Sequence, residues 1–471
     1  MKHKTSFSRR RLIQAAFASG ALAAVPAAVR GELRVARQDG KPRRILFFVS
    51  DGMSQSVPAL ADALSRQVRD KGTHWRALME NREATMGQME TEALNSMVTD
   101  SSAASSAWGG GQRVNNGAVN MLPDGTAIRP ISDWLAEREA RLGLVTTATV
   151  THATPAGFAS SVASRGMEQQ IAEQYFDKVG LILGGGMRFF DARRRDDGCD
   201  MCDDFGKAGY QVFRNRDELL AGGGERRLGL FSDSHVPYTL EQMHNEELIK
   251  TVPTLAEMTA SALEWSLLSD APTLIQVEGA RVDHAAHGND IAALLWDQIA
   301  YDDALGLALE FAREHPDTLV VTTSDHGNAN PGLNGVGGGY SGSTRAFSRV
   351  ARAKMTFPEW ISGARGRAED LNSASLREEV REVFGVGISE TEADGILDSL
   401  RGNDVVEWNN QHRNTHGLLG QVIGNHNGIG WSGTSHTNDP TLISAIGPGA
   451  DRFSGWVRND AVRGIFEDLL S

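Results

Sequence analysis

Five short clusters of acidic residues, histidines and hydroxyl-bearing residues could together carry out metal-assisted chemistry. They lie at Ser50-Asp51-Gly52, Thr99-Asp100-Ser101, Glu278 to His287, Asp325-His326-Gly327 and Ser435-His436-Thr437. Imidazole nitrogens and carboxylate oxygens are typical zinc ligands, whereas magnesium prefers six oxygens. Each cluster alone is a weak signal. Because two metal ions can clamp the entering and leaving oxygens of a phosphoryl transfer, their joint presence predicts a metal-dependent phosphoryl-transfer hydrolase.

The spacing of Asp283 and His287 suits a pair of metal ligands. The two residues are four positions apart, so on a helix both side chains project from one face toward one zinc ion. The competing interpretation is an exposed aspartate beside a capped or packed histidine. Glu278 lies five positions before Asp283, where it could reach a neighbouring cation, and Asp325-His326 is an adjacent pair that could turn toward one ion.

Ser101 is a candidate nucleophile. It follows Asp100 at a predicted junction between a short strand, Met97 to Thr99, and an alanine-rich helix. The backbone N–H groups and the positive dipole end of a helix favour an anion at such a place, and a coordinated zinc could deprotonate the hydroxyl. An ordinary helix N-cap is the competing interpretation, and Ser102 competes with Ser101 as the reacting hydroxyl.

Composition and charge narrow the classes of partner. The chain has 471 residues, of which 40% are hydrophobic, so it can form one large α/β domain or two smaller ones. Its net charge of −13 disfavours nucleic acid and anionic membranes as partners. An anionic substrate would therefore need a local positive site, which bound metal ions would supply.

The N-terminus is interpreted as an export signal. Positions 8–13 carry Ser-Arg-Arg-Arg-Leu-Ile, which resembles a twin-arginine signal, followed by an apolar stretch from Ala15 to Ala24 and small residues near Ala28. The stretch is too short and too rich in Ala and Gly for a membrane anchor. We predict a signal peptide at residues 1–28, a linker at 29–42, and a periplasmic or secreted protein that has no membrane association after export.

Two cysteines, Cys199 and Cys202, form a Cys-x-x-Cys pair on an acidic segment. Such a pair can be redox-active or half of a zinc site, but no second half is present in the sequence. In an oxidising compartment, a local disulfide or two idle thiols is the favoured interpretation.

Apolar runs that alternate with helical patterns predict the fold class. The predicted strands are Ile45–Val49, Leu142–Thr147, Val179–Leu183, Thr273–Val277, Thr318–Thr323 and Thr441–Ile446. Helical patterns follow the first strand as far as Arg69, begin at an N-cap at Ser132, and cover Pro253–Leu268, Asn289–Arg313 and Asn459–Leu470. These alternations indicate an α/β protein with a mostly parallel central sheet and helices on both faces. Ligands bind beyond the carboxyl ends of such strands, where we expect Asp51, Glu278 and Asp325.

Residues 331–430 differ from the rest of the chain. They begin with a glycine-rich stretch, Gly335 to Gly342, and continue with charged helical segments near Ser375–Phe384 and Glu390–Arg401. They contain no apolar strand run. We interpret them as an insertion on the side of the sheet where the site lies.

Four of the motifs resemble those of the alkaline phosphatase family. The segment from Val98 to Ala104 is similar to the nucleophile motif of the family. The other three similar motifs are Val49–Gly52, Val277–Ala280 with Asp283 and His287, and Thr323–Gly327. The resemblance runs from about Arg43 to the C-terminus. It implies one alkaline-phosphatase-like domain over residues 43–471, with the insertion forming a crown-like addition.

The resemblance implies a role for each site residue. Ser101 matches the serine that becomes phosphorylated, and Arg165 matches the arginine that forks onto two phosphate oxygens. Two Zn²⁺ ions and one Mg²⁺ ion are implied as cofactors. The matching ligands are Asp283, His287 and His436 for the zinc that receives the leaving oxygen, Asp51, Asp325 and His326 for the zinc that activates serine, and Asp51, Thr154 and Glu278 for the magnesium-type site.

Three positions depart from the family pattern or are ambiguous. His152 stands where some members have an aspartate beside the magnesium, which leaves the identity of the third metal open. His284 stands at a variable position and could contact phosphate through water. His436 is preferred as the last zinc ligand because residues 433–437 resemble the family motif before the last strand and a predicted strand follows them, with His426 as the alternative.

The resemblance implies an exported alkaline phosphatase that hydrolyses small phosphate monoesters through a phosphoserine. A homodimer is expected by analogy alone. The alternatives are a phosphodiesterase or nucleotide pyrophosphatase, which generally lack the third site and the matching arginine, and a secreted phosphate- or metal-binding protein without activity. A sulfatase is disfavoured because no Cys-x-Pro-x-Arg segment is present.

Overall fold

The apolar runs of the sequence form the middle of one large sheet. The structure, a computed structural model, describes residues 40–403 and 408–471. Within these residues ten strands form a sheet in the order β14-β2-β13-β8-β1-β7-β3-β4-β6-β5. The strands are β1 (Arg44–Ser50), β2 (Thr85–Met89), β3 (Arg141–Thr149), β4 (Leu181–Gly185), β5 (Tyr210–Phe213), β6 (Arg226–Leu230), β7 (Thr273–Gly279), β8 (Thr318–Thr323), β13 (Thr441–Ile446) and β14 (Gly455–Val457), and four two-residue strands lie outside the sheet: β9 (Gly327–Asn328), β10 (Gly332–Leu333), β11 (Ile429–Gly430) and β12 (His436–Thr437). The predicted signal peptide and residues 29–39 of the predicted linker lie outside the described residues.

Helices cover both faces of the sheet. They are α1 (Val57–Arg69), α2 (His74–Asn81), α3 (Ser101–Gly110), α4 (Ile131–Ala136), α5 (Ala153–Ala159), α6 (Glu168–Tyr175), α7 (Met201–Lys207), α8 (Arg216–Ala221), α9 (Thr239–His244), α10 (Glu246–Thr251), α11 (Leu255–Ser266), α12 (Arg281–His287), α13 (Ile291–Glu314), α14 (Ser343–Phe347), α15 (Phe357–Arg365), α16 (Ser373–Phe384), α17 (Glu390–Leu400), α18 (Thr415–Asn427) and α19 (Val462–Leu470). Leu46 and Phe48 of β1 pack in the core with α1, α11 and α13. Phe47 packs on the opposite face with Trp108, Phe158 and residues of α19. Because β1 is buried on both faces, its sequence is continuously apolar rather than alternating.

The predicted fold class is confirmed. Every strand pairing in the ten-stranded sheet is parallel except those of β13, which runs antiparallel to β8 and β2. The prediction placed β4 two residues too early, at Val179–Leu183, and missed four strands: β2, β5, β6 and β14. These four lie toward the two edges of the sheet. Edge strands are short and less apolar, so they give a weaker sequence pattern.

Two local predictions about helix starts are wrong. The segment Met97 to Thr99 is not a strand; it is irregular backbone that leads into α3. Ser132 is not an N-cap, since α4 begins at Ile131 after Pro130 and the Ser132 hydroxyl is buried inside it. The predicted last helix is a single 3₁₀ turn, Asn459–Ala461, followed by α19.

Residues 331–403 and 408–430 form a mainly helical unit outside the central sheet, which we call the inserted unit. Close to its two ends, β10 pairs with β11 in an antiparallel ladder. Its helices α15 to α18 share one apolar core with α1 and α13. The backbone N–H of Phe357 donates to the buried Asp290 carboxylate, 2.7 Å away, which ties this unit to the start of α13.

Candidate metal centre

The site begins at the carboxyl ends of three adjacent strands. β7, β1 and β8 are neighbours in the sheet. Asp51 follows β1 in a tight turn, Asp325 follows β8 by two residues, and Glu278 is the penultimate residue of β7. Because parallel strands end on one side of a sheet, this arrangement gathers three carboxylates in a region that is fully buried.

Asp51, Asp325 and His326 form the first group. One ligand atom of each lies within 4.8 Å of the other two. His326 Nε2 lies 3.0 Å from Asp325 Oδ2 and 3.6 Å from Asp51 Oδ1, and all three side chains are buried. Among the residues that the structure describes, no donor forms a hydrogen bond with either Asp51 oxygen or with Asp325 Oδ2. Buried carboxylate oxygens without donors are costly unless a cation faces them, so the group suits a metal ion.

Asp283, His287 and His436 form the second group. The Nε2 atoms of the two histidines are 2.9 Å apart, and they lie 3.4 and 3.6 Å from the Asp283 carboxylate. His287 Nδ1 donates to the Thr434 carbonyl and His436 Nδ1 donates to the Thr99 carbonyl, each at 2.8 Å. With the Nδ1 protons held this way, the Nε2 lone pairs converge on one point, an orientation typical of histidines that bind metal.

Asp51 also belongs to a third group, with His152 and Glu278. Thr154 Oγ1 and Glu278 Oε1 are buried without hydrogen-bond partners among the described residues. Glu278 Oε2 accepts from the Thr146 hydroxyl. The oxygen-rich donor set of Asp51, Thr154 and Glu278 suits a hard cation, and His152 brings a nitrogen to its edge.

The buried carboxylates of the three groups need positive charge nearby in order to be ionised together. Burial and the carboxylates of Asp325 and Asp283 raise the pKa of Asp51 well above its usual range. Burial raises the pKa of Glu278 to about 7. Burial opposes ionisation of Asp283 too, but the charges of His287 and His326 lower its pKa well below the usual value. Bound cations would allow all of these carboxylates to ionise together.

Ser101 lies beside the first group. It is the first residue of α3 and is 1% exposed. Its Oγ is 3.3 Å from His326 Nε2. Asp100 is the N-cap of α3, and its carboxylate accepts from the Ala103 N–H at 2.9 Å. Asp100 therefore caps the helix, and the Ser101 hydroxyl is turned toward the potential ligands.

Ser102 and Arg165 both contact Asp100. The Ser102 hydroxyl donates to the Asp100 carboxylate at 2.8 Å, away from the metal groups. Arg165 Nη1 is 3.2 Å from Asp100 Oδ2, and its Nη2 is 3.1 Å from His152 Nε2. The guanidinium side chain remains 29% exposed, so it borders the site beside Ser101 and is open to an anion.

The remaining histidines take other places. His284 Nδ1 accepts from Arg281 Nη1 at 2.9 Å, and its ring lies 5.6 Å from that of His152. His426, the alternative zinc ligand, contacts Glu392 at 3.2 Å in the inserted unit and belongs to none of the three groups. His74, Asp302 and Asp303 form a fourth group of possible ligands. Its carboxylates already have partners, because Asp302 accepts two backbone N–H groups of α2 and Asp303 pairs with Arg69.

Several residues that position the potential metal ligands were not predicted from the sequence. Gly52 has a φ of 67°, and a Cβ there would lie 2.4 Å from Asp283 Oδ1. Asn328 Nδ2 donates to Asp283 Oδ1 at 2.7 Å. Asn289 is buried with a φ of 51°, and its Nδ2 donates to the carbonyls of Ala286 and Gly433. The Asp-Gly pair at 51–52 is a turn signal that could have indicated Gly52, whereas nothing in the sequence identifies the partners of the two asparagines.

Comparison with known proteins decides the family. A sequence model described as alkaline phosphatase matches residues 42–470. The chain belongs to the alkaline phosphatase family. Membership makes it a hydrolase of phosphate monoesters in a metal-dependent family, and the three groups described above are possible metal sites.

The chain is similar to curated proteins and solved structures, some of which cover nearly its whole length. Alkaline phosphatase 3 of Bacillus subtilis is 27% identical over 96% of this chain and 94% of its own length. Streptomycin-6-phosphate phosphatase of Streptomyces griseus is 32% identical over 61% of this chain and 74% of its own length. The crystal structure of Thermus thermophilus alkaline phosphatase is 32% identical, covers 95% of both chains and superposes with a TM-score of 0.83.

Two features bear on the cellular setting. In the part of the chain that the structure describes, no helix has the length and apolar character needed to cross a membrane. Cys199 is exposed, Cys202 is buried, and both are free thiols rather than a disulfide pair. Of the two interpretations favoured for this pair, the structure therefore agrees with two separate thiols and not with a local disulfide.

Proposed function

We propose that the chain is an exported, metal-dependent phosphatase that hydrolyses phosphate monoesters through a phosphoserine at Ser101. The observation that carries the proposal is the position of Ser101 Oγ, 3.3 Å from His326 Nε2 and within a buried set of potential metal ligands. A hydroxyl at a helix start, with a guanidinium nearby, is placed for attack on a dianionic phosphoryl group.

The donor atoms support three metal ions. The second group, Asp283, His287 and His436, and the first group, Asp51, Asp325 and His326, contain the nitrogen and carboxylate mixture that zinc prefers. The set of Asp51, Thr154 and Glu278 suits magnesium. When bound, the ions supply Lewis acidity and neutralise the negative charge of the phosphoryl group and the entering and leaving oxygens.

The residues of the chain then divide the reaction between them. Ser101 Oγ loses its proton and attacks phosphorus, forming the serine O–P bond while the bond from phosphorus to the ester oxygen breaks. The leaving alcohol takes up one proton, which balances the proton that Ser101 releases. Water then attacks the phosphoserine, which releases inorganic phosphate and restores the Ser101 hydroxyl. Burial of Ser101 limits competing attack by bulk water in the first step.

Arg165 is proposed to hold the phosphoryl group during both steps. Its Nη1 and Nη2 already point to two different acceptors, Asp100 and His152, and each of these could be exchanged for a phosphoryl oxygen. A guanidinium grips two oxygens at once, which favours a monoester over a diester that has one fewer charged oxygen. This preference separates the proposal from the phosphodiesterase alternative.

His152 is proposed to set the preference of the third site. Imidazole carries no negative charge and does not accept hydrogen bonds from magnesium-bound waters as a carboxylate does. We expect His152→Asp to bind magnesium more tightly than the wild type, with zinc content unchanged. Calorimetric titration of Mg²⁺ into both proteins measures this, and equal affinities would show that His152 has no influence on the third ion.

Export and assembly are proposed from the sequence and the family. The SRRRLI segment at positions 8–13 is the proposed twin-arginine signal, residues 1–28 the removed peptide, and residues 29–42 a linker. The remaining domain, 43–471, is proposed to act in the periplasm or outside the cell, unattached to membrane, and as a homodimer by analogy. Substituting both Arg9 and Arg10 by lysine should retain the enzyme in the cytoplasm, which cell fractionation detects.

Ser101→Ala tests the proposed function, with Ser102→Ala as the matched control. The purified wild type should release p-nitrophenol from p-nitrophenyl phosphate, and chelator should abolish this release. Ser101→Ala should lose most turnover but keep its metal and fold, whereas Ser102→Ala should keep the phosphoserine. Acid quenching during turnover should trap phosphate on Ser101. Phosphate trapped on Ser102 would contradict the assignment, and no activity in the wild type would favour the silent binding protein.

A further inference from the structure

A second group of cationic and imidazole side chains lies next to the proposed phosphate site. We call His235, His284, Arg188 and Arg281 the lateral cluster. The rings of His235 and His284 are 4.4 Å apart. Arg281 donates to His284, and the Arg188 backbone N–H donates to the Asp233 carbonyl, two residues before His235. Residues of three separate segments therefore meet on one side of the site.

The two histidines of the lateral cluster are arranged as hydrogen-bond donors. His235 Nδ1 accepts from the Thr149 backbone N–H at 3.2 Å, so its proton is on Nε2. His284 Nδ1 accepts from Arg281 Nη1 at 2.9 Å, so its proton is also on Nε2. Among the described residues, neither Nε2 has a hydrogen-bond acceptor. Two N–H groups are thus held in place by the backbone and by an arginine, with nothing to receive them.

The two arginines of the lateral cluster lack carboxylate partners. Within the described part of the chain neither Arg188 nor Arg281 forms an ion pair, and the Nε of each is buried without an acceptor. The Arg281 guanidinium lies 3.4 Å above the ring of Tyr238, which fixes its position. Asp233 pairs with Arg194. The buried Asp297 accepts from the Thr239 hydroxyl; burial raises its pKa, and the charge of Arg281 opposes that rise. Among the described residues, Arg188 is therefore the cation of the cluster that no carboxylate pairs with or influences.

His152 connects the lateral cluster to the proposed phosphate site. Its ring lies 5.6 Å from that of His284 and 5.7 Å from that of His235. Its Nε2 contacts Arg165, which reaches Asp100 beside Ser101. Burial together with the charges of Arg281 and Arg188 lowers the pKa of His235 to about 4, which agrees with a local positive field. A chain of contacts through His152 and Arg165 thus joins the lateral cluster to Asp100 beside Ser101.

We propose that the lateral cluster binds a second anionic group, a phosphate or a carboxylate, on the leaving-group part of the phosphate monoester. The inference rests on the proposed function of Ser101. The phosphoryl group that is transferred has Arg165 and the metal ligands, and it does not need two further arginines. A protein with a net charge of −13 repels polyanions at long range, so a substrate of this class requires such local cations.

Three substrates with the same three-carbon skeleton test the proposal. They are glycerol 1-phosphate, 3-phosphoglycerate and glycerol 1,3-bisphosphate, whose second group is neutral, a carboxylate and a phosphate respectively. In Arg188→Gln we expect kcat/KM for one or both doubly charged substrates to fall about 10-fold or more relative to glycerol 1-phosphate, since a charge-assisted contact is lost. The substrate that loses more identifies the anionic group.

Two further variants make the test specific. Arg193→Gln removes the same charge from the same segment, but its guanidinium is exposed and paired with Asp191 rather than with an acid beside the lateral cluster, so substrate preference should not change. His235→Asn keeps an acceptor for the Thr149 N–H and removes only the Nε2–H donor, so it should lower the preference even if Arg188→Gln fails to fold. Unchanged preference in both lateral-cluster variants would overturn the inference. Failure of the wild type to hydrolyse any of the three phosphate monoesters would instead overturn the proposed function.

Discussion

The first and second groups of potential zinc ligands contain the same residue types but are built differently. Asp51, Asp325 and His326 have no exposed side-chain surface and follow neighbouring strands of the sheet. In the second group the side chains of His287 and His436 are 41% and 15% exposed. Asp283 and His287 lie on α12, and His436 lies on the short β12 more than a hundred residues later. One group is part of the sheet, and the other joins distant segments.

The two groups differ in the interactions that fix the positions of their side chains. In the first group, backbone ladders of β1 with β7 and β8 set the separation of the ligands. In the second group, hydrogen bonds to the carbonyls of Thr434 and Thr99 set the ring orientations. Loops open locally at a lower free energy than central strands. We therefore expect the second group to release its metal first when the protein is treated with chelator.

Replacing the ligand that two groups share should have the largest effect. Asp51→Asn weakens both the first and the third group, whereas His436→Asn weakens the second group alone. We expect Asp51→Asn to lower kcat/KM about 1,000-fold, since metal-ion charge stabilisation is worth several kcal/mol. Elemental analysis should find metal missing from two sites in Asp51→Asn and from one site in His436→Asn. Equal metal loss in the two variants would mean that Asp51 does not bridge the groups.

Gly52→Ala should damage the contact between the two groups. The new Cβ would lie 2.4 Å from Asp283 Oδ1 and 2.8 Å from the Asp283 Cα, on a residue with a φ of 67°. We expect the free energy of unfolding to fall by about 3 kcal/mol, part from the left-handed backbone and part from the collision. Denaturant titration measures the change.

Gly125→Ala is the control for Gly52→Ala. Gly125 has a φ of 85° and open space around it, so only the backbone cost of about 1 kcal/mol should remain. If the two variants were equally stable, the approach of Asp283 to Gly52 would not constrain the site.

The comparison of the two groups also shows which features a sequence can predict. Asp51 and Asp325 follow long apolar strands, so their common location follows from the rule that parallel strands end on one side. The i, i+4 spacing predicts that Asp283 and His287 share a helix face, and α12 has them so. The strands in the centre of the sheet were predicted for the same reason: burial on both faces makes them continuously apolar.

Features that depend on contacts between distant segments could not be predicted. The preference for His436 over His426 depends on a family motif and the strand that follows it, not on the contacts that distinguish the two histidines in the structure. Their difference lies in partners more than thirty residues away, Thr99 for His436 and Glu392 for His426. His235 gave no signal, since its neighbours His152 and His284 come from other segments. The strand β2, next to the edge strand β14, was missed because its partly exposed sequence lacks an apolar run.

Asn289→Gly should weaken the second group without touching a ligand. Glycine keeps the positive φ but removes the amide that joins Ala286 of α12 to Gly433, next to Thr434. Losing partners of this kind typically costs 10- to 100-fold in metal affinity, so we expect a loss of about 10-fold or more at one site. Zinc release monitored with a chromogenic chelator should show one ion leaving faster and the other unchanged.

Gln411→Ala offers a milder version of the same test. Gln411 lies in the inserted unit, and its amide donates to Asn289 Oδ1 at 2.8 Å. Removing this amide loosens Asn289 but retains the bridge that the Asn289 amide makes. A smaller acceleration of the release of the same ion is expected. Faster release of both ions in either variant would contradict the separation of the two groups.

The smallest expected effect concerns the pH dependence of stability at His235. Burial and the charges of Arg281 and Arg188 lower the pKa of His235 in the folded protein to about 4, from an unfolded value near 6.5. The unfolded chain therefore binds the proton more readily, and this group's contribution to stability is present above pH ~6.5 and lost as the pH falls toward 4. Between pH 7 and 5 the loss should be about 1–2 kcal/mol.

His235→Asn keeps the acceptor for the Thr149 N–H but cannot bind the proton, so its free energy of unfolding should depend less on pH by that amount. Denaturant titrations of both proteins at pH 7 and 5, in the same metal buffer, measure the difference between the two slopes. Protonation of residues in the first and second groups contributes equally to both pH profiles, so it cancels in their difference. Parallel pH profiles would show that the positive field of the lateral cluster at His235 is weaker than its geometry indicates.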